Sequence, residues 1–162
     1  MRSRVSLLAA ALLVSATSSA TASAQARKEI PLPPSQNPSN AVLPVAGAVW
    51  VGNTLYVSGW LDPDLKTHTD TKSQTVGILA DIQKFLDSQK LTMGDVAMVR
   101  VFLGNNPATN GQPDFAGMTA GYTQFFGTSD QPNKPARTTL QVVLPAASRG
   151  ALVEIDLIAV RP

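Results

Sequence analysis

The strongest constraint on the fold lies near the C-terminus, in the run Leu-Val-Glu-Ile-Asp-Leu-Ile-Ala-Val at residues 152–160. Strand alternation puts Val153, Ile155 and Leu157 on one side and Ile158 and Val160 on the other. A sheet holding such a strand has a second face that must meet solvent or another subunit. An apolar residue set on both sides, in a small chain with no cysteine to staple it, favours a subunit. Glu154 interrupts this run and is one of two glutamates in the chain. A carboxylate there is costly unless it is paired, exposed or functional.

Upstream, residues 46–51 form a short apolar run, and 54–59 (Thr-Leu-Tyr-Val-Ser-Gly) alternate. The intervening Gly52-Asn53 makes the pair a β-hairpin. Residues 70–89 read as an amphipathic helix capped by Asp70 or Thr71, with Val76, Leu79, Ile82 (or Gln83) and Leu86 on one face. A third strand runs through Val96, Met98, Arg100 and Phe102. Asp114 caps a second helix carrying Phe115, Met118, Tyr122 and Phe125 (or Phe126). Residues 137–144 and 151–160 are the last two strands, joined by a turn at 145–150. The order is ββαβαββ, which predicts an α+β sheet with helices on one face.

The N-terminus predicts export. Arg2 and Arg4 precede an uncharged Leu/Ala/Val-rich stretch over 5–16, and A-x-A frames end at Ala24 and Ala26. That stretch is short of the ~20 residues a spanning helix needs. Residues 1–24 therefore read as a signal peptide, 25–43 as an extended Pro-rich linker and 44–162 as one domain. The product is expected in the periplasm or secreted, and free of the membrane after cleavage. The full chain has 13 Lys and Arg against 11 Asp and Glu; once Arg2 and Arg4 leave, the two signs balance. No basic stripe is left to follow phosphates, which disfavours nucleic acid as a partner. Absent cysteine excludes disulfides, thiolate zinc sites and cysteine nucleophiles. His68, the one histidine, reads as a solvated loop residue.

Two residues could carry chemistry. Burial of Glu154 would raise its pKa into the range of a general base, whereas a position on an outward edge with Asp156 would leave it an ordinary surface acid. Arg137 opens the preceding strand, near one end of what reads as the same hairpin. Its planar fork of donors suits a carboxylate, although a plain surface arginine fits the pattern equally.

The segments Pro-Ala-Arg-Thr-Thr-Leu-Gln-Val at 135–142 and Leu-Val-Glu-Ile-Asp-Leu-Ile-Ala-Val-Arg at 152–161 resemble the signature of the YjgF/RidA family. Val-Gly-Asn-Thr-Leu-Tyr-Val-Ser-Gly at 51–59, Gln-Thr-Val-Gly-Ile-Leu-Ala-Asp-Ile at 74–82 and the helix at 114–126 are similar to three more family segments, in order and at matching spacing. The resemblance implies a chorismate-mutase-like fold with a mixed sheet, assembled as a homotrimer with ligand clefts between subunits. It implies hydrolysis of enamines and imines derived from amino acids to 2-oxo acids and ammonia, without metal or cofactor. Carried over by position, Arg137 would hold the substrate carboxylate and Glu154 would position or activate water. Ser58 and Gly59 would line the cleft, with Thr139 and Thr119 at its rim.

The chain departs from the family pattern at three of these places. Val45 stands where many members have Tyr or Phe, Thr119 where Asn is common, and Thr139 where Cys is common. The loop at 145–150 is also longer than in the best-studied members. Trp60 is a further cleft candidate or a packing residue. These departures favour a rival reading, a trimeric protein that binds small carboxylates without turnover; the retained Glu154 favours the enzyme. Ribonuclease action, also attached to the family, is disfavoured by the charge balance and the lack of a catalytic histidine.

Overall fold

The computed structural model describes residues 25–145, 148 and 150–162. The expected signal peptide over 1–24 lies outside them, as do Ala146, Ala147 and Arg149 of the 145–150 turn. Six strands, β1 (Arg27–Ile30), β2 (Ala48–Val51), β3 (Thr54–Trp60), β4 (Val96–Leu103), β5 (Ala136–Gln141) and β6 (Val153–Val160), join two helices, α1 (Thr71–Ser88) and α2 (Phe115–Tyr122). The sheet order is β1-β2-β3-β6-β4-β5; β4 and β5 run parallel and every other neighbour is antiparallel. This is a mixed α+β sheet, as expected, with one strand more.

The extra strand is β1. The stretch 25–43 was expected as an extended linker, yet Arg27–Ile30 pairs with β2 as an edge strand. The prolines that discourage a ladder begin only at Pro31. Beyond them, the Gln36 amide donates to the Leu61 carbonyl at 2.9 Å and accepts from the Leu61 N–H at 3.1 Å. Gly52, at φ +60°, supplies the left-handed residue the β2–β3 turn requires.

A second difference bears on the site. The last two strands are not a hairpin: β6 lies between β3 and β4, and β5 pairs on the far side of β4. The turn at 145–150 therefore carries the chain across β4. The parallel pairing of β4 and β5 needs a crossover of its own, which α2 and its flanking loops supply.

Alternation along β6 builds the core. Val153, Ile155, Leu157 and Ala159 are buried with Leu55, Val57, Val99, Val101 and Leu103 of the neighbouring strands. Against them α1 lays Ile78, Leu79, Ile82, Phe85 and Leu86, while α2 adds Met118 and Tyr122. Val76, expected on this face of α1, is half-buried, and Phe115 of α2 is exposed; on α1 the buried face is turned to take in Ile78 and Phe85 instead. Asp70 caps α1, accepting the Ser73 N–H at 3.0 Å, and Asp114 caps α2 in the same way through Gly117.

The other face of the sheet carries Val49, Tyr56, Ile158 and Met98 in one row across β2, β3, β6 and β4. These residues are half-buried or exposed, as are Phe102 and Leu140 beside them. Among the described residues no helix covers this side.

One buried polar side chain ties the core to the turn before β6. Gln74 of α1 is fully buried. Its amide donates to the carbonyls of His68 at 3.0 Å and Gly150 at 2.8 Å, and accepts the Leu152 N–H at 2.7 Å. Gln74→Leu keeps the volume but strands the buried Leu152 N–H and removes the partner of two part-buried carbonyls. We expect it to lower unfolding free energy by about 2–4 kcal/mol in urea titrations; a change below about 0.5 kcal/mol would show that the amide is dispensable.

Candidate functional site

Glu154 projects from the middle of the sheet onto the face away from the helices. It stands opposite Phe102 of β4, with Asp156 two residues along on the same face. Asp156 accepts Arg100 Nε at 2.7 Å. Glu154 is half-buried and has no hydrogen-bond or ion-pair partner among the described residues. Burial, and secondarily the charge of Asp156, raises its pKa above the ordinary glutamate value.

Gly59 explains how the carboxylate fits. Pairing of β3 with β6 slips between Val57 and Trp60. A Cβ on Gly59 would overlap the Glu154 carboxylate, whose carbon would lie 2.9 Å from it. Ser58, next to Gly59, donates its hydroxyl to the Ala46 carbonyl at 2.6 Å. Its oxygen can therefore accept from a ligand, but its proton is committed. Ser58 lines a cleft of about 740 Å³ with Val45, Ala46, Val49, Arg27 and Glu29.

Arg137 lies elsewhere. On edge strand β5 it is paired with Val99, which faces the helices and is fully buried. Its guanidinium accordingly points to α2, 4.6 Å above the centre of the Tyr122 ring, with Nη1 3.9 Å from Met118 Sδ. Burial raises the Tyr122 pKa, and the Arg137 charge offsets part of that rise. Arg137, Thr119, Tyr122, Thr123 and Lys134 line a cleft of about 580 Å³. The three ion pairs among the described residues leave Arg137 out.

The expected residues thus fall into two groups. Glu154, Gly59 and Ser58 belong to the open face; Arg137 and Thr119 belong to the edge beside α2. Within one chain, β4 and the thickness of the sheet separate the two, so the shared hairpin expected for Arg137 and Glu154 is corrected. Thr139 is half-buried opposite Val101, and its hydroxyl is buried without a partner, outside the Arg137 cleft. Trp60 is fully buried and packs on Phe85 with ring centroids 5.1 Å apart, which makes it core rather than cleft. His68 is not a free loop residue: its Nδ1 lies 2.7 Å from Oδ2 of the buried Asp62. Among the described residues no three His, Asp or Glu side chains gather as a metal site, and no helix is long and apolar enough to cross a membrane.

The family model described as endoribonuclease L-PSP matches residues 36–161, a span that takes in both groups. The chain belongs to this family, the YjgF/Rid proteins. A Rid-family protein of unknown function, YyfA from Yersinia pestis, is similar at 26% identity and TM-score 0.63, over 84% of this chain and all (100%) of that one. An uncharacterized protein from Pseudomonas aeruginosa is 26% identical at TM-score 0.58, over 76% of this chain and 96% of its own. A YjgF-family protein of Neisseria meningitidis shares the fold at TM-score 0.64 and 18% identity, over 86% and 98% of the two chains. No curated protein matches the sequence.

As a YjgF/Rid protein, the chain has three site features that the sequence reading missed. Tyr122 reads there as a core residue of α2, whereas its ring is the platform under Arg137. Lys134 shares the Arg137 cleft, and its signal was the spacing Lys-Pro-Ala-Arg. The Gly59–Glu154 contact has no local signal, because it joins residues 95 positions apart through the β3–β6 pairing. A carboxyl NMR titration tests the electrostatics. Glu154 is expected to titrate above the ordinary glutamate range, and Asp156→Asn to bring its midpoint down only part of the way, since burial remains. An ordinary midpoint in the native protein would contradict this.

Proposed function

We propose that this YjgF/Rid protein hydrolyses imines derived from amino acids, in sites completed between copies of a homotrimer. The observation that carries the reading is the complementary pair of unpartnered charges. A half-buried carboxylate with a raised pKa lies on the open face, and an unpaired guanidinium lies at the sheet edge. Neither can serve the other within one chain, and each would need only a neighbouring copy to meet its counterpart. The apolar row Val49, Tyr56, Ile158 and Met98 gives the open face a reason to be covered.

On this reading Arg137 holds the substrate carboxylate by charge-assisted hydrogen bonds. Glu154 takes a proton from water as the oxygen adds to the imine carbon, giving a carbinolamine. It returns that proton to nitrogen, then takes the hydroxyl proton as the C=O bond forms and the C–N bond breaks to release ammonia. One imine and one water yield one 2-oxo acid and one ammonia. A carboxylate whose pKa is raised by burial accepts and returns a proton more readily than a solvated one. An iminium carbon is already electrophilic, so positioning supplies much of what the reaction needs. The sequence over 1–24 supports an exported, periplasmic or secreted, site of action.

Binding without turnover is the second reading. It is favoured by Val45, which is exposed and brings no polar group to the cleft that Ser58 lines. Timing 2-oxo acid release from imines generated in situ separates the two. We expect Glu154→Gln to lower kcat by about a hundredfold or more with little change in KM. Arg137→Ala should raise KM by roughly ten- to a hundredfold, the loss of a charged hydrogen bond. The acid limb of kcat/KM should follow the raised Glu154 pKa, activity falling as pH drops through it. A native protein no faster than the uncatalysed reaction would sink the deaminase reading.

A further inference from the structure

The cleft beside α2 holds a second cation. Lys134 lies three residues before Arg137, its aliphatic stem crosses Gly127, and the two residues line one cavity. Pro135 between them fixes φ and biases Lys134 to an extended backbone, which holds the spacing of the two residues along the chain. Thr119, Thr123 and Tyr122 add hydroxyls to the same walls, and no acidic residue lines them. Neither Lys134 nor Arg137 belongs to an ion pair among the described residues. Two positive charges facing one cleft repel each other unless an anion lies between them. A single substrate carboxylate on Arg137 leaves Lys134 with no anionic partner among the described residues of its own chain.

We propose that the preferred ligand carries two carboxylates: a 2-imino dicarboxylic acid, with its α-carboxylate on Arg137 and its distal carboxylate on Lys134. This assignment rests on the deaminase reading for its chemistry but on the cleft alone for its charge. Lys134 is a specificity-determining residue in this account, outside the bond-breaking step. It selects by charge, so the preference should weaken as salt is raised.

Calorimetric binding of 2-oxoglutarate and of 2-oxohexanoate tests it, because the two probes differ chiefly in the second carboxylate. The native protein should bind 2-oxoglutarate at least about fivefold more tightly, the size a partly exposed ion pair gives. Lys134→Met should bring the two to parity, Lys134→Arg should keep the preference, and Arg137→Ala should weaken both ligands. In parallel, kcat/KM is compared for the imines made from glutamate and from 2-aminohexanoate. A dicarboxylate preference in binding, without turnover of either imine, upholds this assignment and overturns the deaminase reading. Equal turnover and equal binding of both upholds the deaminase and overturns the assignment. A preference that survives Lys134→Met, or binding of neither probe, overturns it as well.

Discussion

Alternation along β6 fixes where the chemistry of this protein can lie. Val153, Ile155, Leu157 and Ala159 are committed to the core between sheet and helices, so Glu154 and Asp156 must face the other way. With β3 on one side and β4 on the other, β6 is not an edge, and its outward residues stand in the middle of a broad face. Glu154 is consequently half-buried by its neighbours before any ligand arrives. The bulge of β3 and the bare Gly59 give its carboxylate room without giving it a partner. A carboxylate placed in that way is expensive for stability and useful for proton transfer, a combination common at functional sites.

Arg137 is placed by a different rule. Parallel pairing with β4 puts it on the helix side, where Tyr122 supports the guanidinium and leaves its donors free. The turn through 145–150 separates β5 from β6 in space although they are adjacent in sequence. Gln74 anchors the far end of that turn at Gly150 and Leu152, and through it the start of β6, to the buried side of α1. The core thus sets the register of the strand that presents Glu154. The proposed assembly makes use of that separation: one copy would supply the guanidinium, another the carboxylate, with the uncovered apolar face between them.

Much of this was legible in the sequence. The amphipathic period of α1, its Asp70 cap, the Gly52-Asn53 turn and the two-sided apolar run at 152–160 all lead to the elements found, and together they imply the sheet with helices on one face. What local pattern could not convey was strand order. Consecutive strands joined by a short turn read as a hairpin, and nothing in residues 137–160 signals that β4 inserts between them. The same gap hid the Gly59–Glu154 contact and put Arg137 in one hairpin with Glu154. Arg27–Ile30 was missed because the prolines that follow it dominate the composition of the segment. Trp60 and His68 show the converse: an aromatic ring beside a loop and a histidine in a polar run both turned inward, through Phe85 and Asp62, partners far away or inconspicuous in sequence.

The central claim is that a working site takes Arg137 from one copy and Glu154 from another. Mixing subunits measures this directly. Arg137→Ala and Glu154→Gln proteins, each strongly impaired alone at substrate well below the native KM, are unfolded together, refolded as mixed assemblies and assayed for imine hydrolysis under that condition. Mixed assemblies contain some interfaces where an intact Arg137 meets an intact Glu154, so the account predicts that activity returns in proportion to such interfaces. If mixed assemblies form and remain as impaired as either parent, the two residues do not act across copies, and the account fails.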